Sequence, residues 1–166
     1  MISIVIPVFN EGNAVKQNIN TIIKYVPEEY EIILVDDGSK DDTWIKVKEL
    51  SDENKNIVGV RFSRNFGKES ALMAGLAHTS GEAVITMDSD LQHPPEYIPE
   101  LIAKWKEGYK IVEARKSKRI KESIFYRMSA GLFYKTLKKL SGLDMANSSD
   151  YKIMDRVVVD KINEFK

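Results

Sequence analysis

Two pairs of carboxylates, each closing an apolar run, carry the strongest chemical signal in the chain. Asp88-Ser89-Asp90-Leu91-Gln92 follows an apolar run that ends at Met87. Carboxylates two residues apart just past a strand converge on one cation, and a Mg2+ or Mn2+ held that way also takes diphosphate oxygens. The cation would neutralise charge on a departing nucleotide. A D-x-D pair also occurs as a solvated acidic turn, but this one closes a buried strand and shares its rim with a second acidic pair. That pair is Asp36-Asp37-Gly38-Ser39. A strand end followed by a helix cap accounts for Gly38 and Ser39 without requiring two adjacent carboxylates. A carboxylate at this rim can accept hydrogen bonds from a base N–H or from ribose hydroxyls. Arg64 and Lys68, around Phe66-Gly67, have the charge to meet phosphate, with plain surface charge as the alternative.

Such side chains need a scaffold that brings several loops to one rim, and the chain reads as one. Its 166 residues, 43% of them hydrophobic, suffice for a single α/β domain with a buried core. There is no cysteine, which excludes disulfides and thiolate metal sites and favours a hard cation held by oxygen or imidazole. No basic leader is present and no stretch approaches the ~18 apolar residues of a membrane span, so the chain as given is expected to be soluble.

Strands are predicted at Ile2 to Val8, Glu31 to Asp36, Ile57 to Phe62, Glu82 to Met87 and Lys110 to Ala114. Helical spacing fills the intervals. Apolar positions from Ala14 to Val26 end at Pro27, and Ser39 with Asp42 resembles a capping box for a helix through Leu50. Gly67 to His78 and Pro94 to Lys106 are two further helices, a longer amphipathic one follows, and Tyr151 to Lys166 reads as a short strand and a helix. The alternation implies a mostly parallel sheet, whose ligands bind beyond the carboxyl ends of the strands. Asn10 and Glu11, Asp36 and Asp37, Arg64 and Asn65, and Asp88 and Asp90 all fall there.

Charge is balanced overall and uneven locally. Residues 115–139 hold nine Lys or Arg against one Glu, a net of +8 in a neutral chain. Either a solvated helix face or a patch facing anionic lipid and substrate phosphate accounts for that excess. Trp44 and Trp105 are expected to pack, His78 to lie on the surface, and His93 either to support the acidic loop or to act in it.

Five segments together resemble family 2 glycosyltransferases in order and spacing. They are Pro7-Val8-Phe9-Asn10-Glu11, Val35-Asp36-Asp37-Gly38-Ser39, Arg64-Asn65-Phe66-Gly67-Lys68-Glu69, the run Met87-Asp88-Ser89-Asp90-Leu91-Gln92-His93-Pro94-Pro95, and Ser149-Asp150-Tyr151-Lys152. The chain is most similar to the polyprenyl-phosphate branch, which includes dolichol-phosphate mannose synthases and bactoprenol glucosyltransferases. That resemblance implies a GT-A fold, a Rossmann-like mostly parallel sheet flanked by helices. It also implies inverting transfer of a hexose from a UDP-glucose-like or GDP-mannose-like donor to a polyprenyl phosphate. The implied donor residues are Pro7, Phe9, Asn10, Glu11, Asp36, Asp37, Arg64, Lys68, Asp88 and Ser89, with Mg2+ or Mn2+ on Asp88, Asp90 and Gln92. Asp90 and Asp150 are the implied catalytic residues, and Arg115 and Arg127 would meet acceptor phosphate. Asp150 orients a phosphate acceptor, whereas an alcohol acceptor would make it a general base. Family members often show Gly-Asp-Phe-Arg where this chain has Ser149-Asp150-Tyr151-Lys152, and Tyr where it has Phe9.

The resemblance further implies one catalytic domain over residues 1–166, cut short of C-terminal membrane segments and working at the cytoplasmic face of a membrane. An anionic membrane surface is the expected partner beside donor and acceptor, homo-oligomerisation stays open, and nucleic acid is not a partner. A dehydrogenase is disfavoured because no G-x-G-x-x-G follows the first strand, and a nucleotidyltransferase because no Gly-rich basic loop opens the chain. A family 2 transferase acting on a saccharide hydroxyl and a non-catalytic nucleotide-sugar-binding module are the remaining alternatives.

Overall fold

Seven consecutive buried residues, Ile2–Val8, make β1 the centre of the molecule. An apolar run without alternation needs cover on both faces, and a parallel sheet between helical layers supplies it. The computed structural model describes residues 1–12, 14–27, 29–114 and 150–164. In chain order it contains β1, α1 (Val15–Ile23), β2 (Tyr30–Asp36), α2 (Thr43–Glu53), β3 (Ile57–Arg61), α3 (Lys68–Ala77) and β4 (Ala83–Thr86). A 3-10 turn at Pro95–Tyr97 leads into α4 (Ile98–Lys106), followed by β5 (Ile111–Glu113), β6 (Lys152–Asp155) and α5 (Arg156–Glu164).

The sheet runs β3-β2-β1-β4-β6-β5. β1 pairs in parallel with β2 and β4, and β2 with β3, as the alternating pattern predicts. β6 departs from it, lying antiparallel between β4 and β5. Even-numbered residues of β1, Ile2 to Val8, pack with Val15, Ile19, Ile22, Val47, Leu50, Ile98 and Leu101 from α1, α2 and α4. Val5 on the other face packs with Ala71 and Leu76 of α3 and Val159 of α5. Side chains alternate across a strand, so one apolar run feeds both cores. α3 sits close on the sheet: a Cβ on Gly75 would lie 2.2 Å from Val5 Cγ1. Trp44 and Trp105 pack against the first core as expected, and the Trp105 indole donates to Asp155 Oδ2 at 2.9 Å.

The capping box does not form. α2 begins at Thr43, and the Asp41 carboxylate accepts both its N–H (3.0 Å) and its hydroxyl (2.5 Å). Ser39 sits too far upstream and is engaged elsewhere, as described below. Among the described residues no helix is long and apolar enough to cross a membrane. The basic helix expected over 115–139, with Arg115 and Arg127, lies outside the described residues.

At the end of the sheet opposite the acidic loops, one carboxylate joins β1, β2 and the turn before β4. Glu31 Oε1 accepts from Ser3 Oγ (2.6 Å), Ser80 N (2.6 Å), Ser80 Oγ (3.0 Å) and Gly81 N (3.2 Å). Burial raises the Glu31 pKa, but these hydrogen bonds outweigh it and leave the group below its ordinary value. A depressed carboxyl contributes stability that is full above the unfolded value of roughly 4.3 and lost as pH falls through the lower folded value. Glu31→Gln should therefore cost about 1–2 kcal/mol at pH 7 in urea denaturation, with the gap to the parent closing as pH falls below about 4. An equal gap at both pH values would show that the charge contributes nothing.

Candidate active site

β1 leads through α1 to β2 on one side, while β4 flanks it on the other. The strand order reverses between β1 and β4, and ligands of such a sheet bind at the carboxyl ends of the strands there. A cleft of about 360 Å3 lies there. The end of β1 and its loop supply Pro7, Val8, Phe9 and Glu11; β2 is followed by Asp37, β3 by Asn65, Gly67 and Lys68, and β4 by Asp88, Ser89 and Asp90. Four loops meet at one rim.

The adjacent carboxylates Asp36 and Asp37 point different ways. Asp36 is fully buried; its Oδ1 accepts the Ser39 N–H at 3.0 Å and its Oδ2 lies 3.2 Å from Arg61 Nε. It holds the turn together and does not line the cleft. Asp37 does line the cleft. Its two oxygens accept the N–H groups of Phe66 (2.7 Å) and Gly67 (3.0 Å), which fixes the segment entering α3. Between them and the β3 loop, Gly38 is required twice over: its φ is +71°, and a Cβ there would come within 2.3 Å of the Arg64 carbonyl carbon.

Asn10 and Arg64 lie beside the cleft, outside its lining. Asn10, itself at φ 53°, donates its N–H to Ser39 Oγ (2.9 Å) and accepts the Lys40 N–H on Oδ1 (2.9 Å), so it clamps the β1 and β2 loops. The Arg64 guanidinium lies over the exposed Phe66 ring at 4.7 Å. Gln92 is exposed and also outside the lining; its backbone N–H donates to Asp90 Oδ1 at 3.0 Å. Leu91 between them holds a φ of +59°, uncommon for a bulky side chain and concentrated at functional loops.

Glu11 closes the floor between the β1 and β4 loops. Its N–H donates to Thr43 Oγ1 (2.7 Å), and its Oε2 accepts a short hydrogen bond from Ser89 Oγ. Burial raises the Glu11 pKa, and the negative charges of Asp90 and Asp88 raise it further against the Ser89 hydrogen bond. The cleft thus has a concentrated negative lining.

Among the described residues lining the cleft, Lys68 supplies the positive charge. Lys68 Nζ lies 2.5 Å from Asp88 Oδ1 and 2.8 Å from Asp150 Oδ2. Burial lowers the Lys68 pKa, but hydrogen bonds to Asp150 and Asp88 more than reverse this and raise it. Asp150 is brought here by β6: its carbonyl accepts from Thr86 Oγ1 of β4 at 2.5 Å, and the fully buried Tyr151 that follows donates its hydroxyl to Pro94 O at 3.2 Å. His93 supports the same loop. Its ring stacks at a tilt on Tyr151 with centroids 5.6 Å apart, and Nδ1 lies 3.9 Å from Asp88 Oδ2. Sequence reasoning did not name Val8, Asn65 and Gly67 as site residues, although all three sit inside segments it singled out.

A sequence profile described as "Glycosyl transferase family 2" matches residues 3–162. The chain belongs to this family. The family 2 domain is 43% identical, over 165 residues, to a bactoprenol glucosyl transferase of Shigella phage SfX, covering 97% of this chain and 54% of that one. It is 38% identical over 168 residues to an uncharacterised glycosyltransferase of Bacillus subtilis (strain 168), covering 99% and 52%. The chain thus spans about half the length of the curated relatives it matches. Among solved structures it is similar to glucosyl-3-phosphoglycerate synthase from Mycobacterium tuberculosis in complex with Mn2+, UDP and glucosyl-3-phosphoglycerate, with a TM-score of 0.67 at 27% identity, covering 95% of this chain and 57% of that one. A mannosyltransferase from Pyrobaculum calidifontis shares the fold at 19% identity with a TM-score of 0.66. The architecture of the family 2 domain is GT-A.

The donor set suits a divalent cation that arrives with its substrate. Among the described residues, no group of three or more His, Asp or Glu side chains is assembled to hold a metal alone. A Mg2+ or Mn2+ needs no such group when one or two carboxylates and substrate phosphates share it. Asp88 and Asp90 line one cleft, and Asp88 already carries a cation, the Lys68 ammonium.

Proposed function

We propose that this domain transfers a hexose from a nucleotide-diphosphate sugar to a polyprenyl phosphate with inversion at the anomeric carbon. The observation that carries this reading is the Lys68 bridge. It brings Asp88 of the D-x-D loop and Asp150 of the last described strand loop to one ammonium, that of Lys68 in the cleft of the family 2 fold. A single displacement needs a stabilised leaving group and a positioned nucleophile close together, and the bridge brings a carboxylate for each role to one ammonium. The 43% identity to a bactoprenol glucosyl transferase supports polyprenyl phosphate as the acceptor.

Phe9, 41% exposed at the cleft, offers a face to the base, and Asp37 and Glu11 offer acceptors to the nucleoside. Asp88 and Asp90 would hold Mg2+ or Mn2+, whose chemistry is to neutralise the departing diphosphate. A phosphate oxygen of the acceptor attacks the anomeric carbon while the bond to the diphosphate oxygen breaks. The second pKa of a phosphomonoester is roughly 6, so the acceptor is largely deprotonated near neutrality and no strong base is required. Asp150, fixed through its carbonyl and through Lys68, then orients the acceptor. The same reading sets residues 115–139, net +8, toward the anionic cytoplasmic surface of a membrane.

The test is a panel of UDP- and GDP-hexoses with Mg2+ or Mn2+ and a short-chain polyprenyl phosphate, scored for glycolipid and released nucleotide. Lipid-linked sugar is the expected product, dependent on the metal. Transfer only to a saccharide hydroxyl or a soluble phosphate would replace the lipid acceptor, and nucleotide binding without any turnover would leave a binding module.

A further inference from the structure

We propose that Lys68 is a positioning residue that guards Asp88: its ammonium stands in the cation's place and yields it only when a divalent cation arrives with a diphosphate. The inference rests on the reading that Asp88 takes that cation.

The geometry sets a competition. Lys68 Nζ is 2.5 Å from Asp88 Oδ1, and an ammonium and a divalent cation cannot share that oxygen at contact distance without strong like-charge repulsion. The bridge is not a fully solvated surface pair, since the Asp88 side chain is 29% exposed and the Lys68 side chain 37%. Displacing the ammonium therefore has a cost beyond that of breaking a surface ion pair. An ammonium carries three donors and no acceptor, so on leaving Asp88 it is held best by another anion beside Asp150. A bare metal ion brings none, whereas a nucleotide diphosphate brings several phosphate oxygens.

The mounting of Lys68 fits such a move. It is the first residue of α3, and the residue before it, Gly67, is pinned by its N–H to Asp37 Oδ2 at 3.0 Å. The backbone is held while the four-carbon stem swings. The consequence is a coupling: Lys68 weakens binding of the metal alone and strengthens binding of the metal with nucleotide. By reciprocity, the factor by which UDP tightens Mn2+ equals that by which Mn2+ tightens UDP.

The experiment titrates Mn2+ alone and Mn2+ with saturating UDP, reading free Mn2+ by electron paramagnetic resonance, in the parent, Lys68→Gln, Lys68→Met and Lys68→Arg. In the parent UDP should tighten Mn2+ clearly. Lys68→Gln and Lys68→Met should each bind Mn2+ alone roughly 5-fold or more tightly than the parent and show a smaller UDP enhancement, while Lys68→Arg, which keeps the charge, should follow the parent. A purely structural Lys68 would not raise metal affinity on removal. Unchanged or weaker binding of Mn2+ alone in both neutral variants overturns the proposal. A parent whose Mn2+ affinity ignores UDP, or that binds no Mn2+, instead overturns the metal reading beneath it, and the two failures are told apart by the parent's titration alone.

Discussion

Asp88→Asn should abolish the gain in UDP affinity conferred by Mn2+ and lower sugar transfer by roughly 100-fold or more, equivalent to about 3 kcal/mol of transition-state stabilisation. Asp88 follows β4, the strand that lies beside β1 at the switch point, and its carboxylate already attracts the Lys68 ammonium. The carboxamide keeps the size and loses the charge, so the loop should persist while the cation site fails. Asp90 is more exposed and its Oδ1 accepts the Gln92 N–H, so Asp90→Asn should have the smaller effect of the two. Calorimetry with UDP, with and without Mn2+, checks binding separately from turnover. Undiminished enhancement by Mn2+ in Asp88→Asn would remove this residue from the metal site.

Much of this cleft was readable because its loops follow strands buried on both faces. Ile2–Val8, Ile32 to Val35 and Ala83–Thr86 are buried without alternation and, Ser3 and Thr86 apart, apolar, which marks a central parallel sheet and thereby its carboxyl rim. The β-strand period also explains why the two adjacent carboxylates differ there. Adjacent residues of an extended chain face opposite ways, so of Asp36 and Asp37 only one can look into the cleft; the other turns inward to the Ser39 N–H. Ser39 illustrates a different limit. Its spacing from Asp42 satisfies a local capping pattern, but its hydroxyl is taken by the N–H of Asn10, 29 positions away in the chain.

Pairings between distant segments left no local trace. β6 has four residues and its sequence does not disclose that it inserts antiparallel between β4 and β5. That insertion sets Asp150 beside Lys68, a contact spanning more than eighty residues of chain. Motif resemblance marked Asp150 as an acceptor-side residue, whereas its sharing a cation with Asp88 follows only from the sheet. His93 was ambiguous for a related reason, because its neighbour Tyr151 comes from β6's approach.

Asp150→Asn should separate chemistry from donor binding, losing transfer by roughly 100-fold while UDP affinity with Mn2+ stays within about 3-fold of the parent. The substitution is locally mild. The Asp150 side chain is 49% exposed, and what anchors the segment is its carbonyl on Thr86 Oγ1 and the buried Tyr151 beside it, neither of which changes. The residues offered to the nucleoside, Phe9, Glu11 and Asp37, come from other loops. With a polyprenyl phosphate acceptor, the rate should rise through a pH of roughly 6 as the acceptor loses its second proton. That limb belongs to the acceptor, so it should persist at reduced height in Asp150→Asn. Its disappearance in the variant would instead make Asp150 the titrating base, and near-parental transfer would take Asp150 out of the reaction altogether.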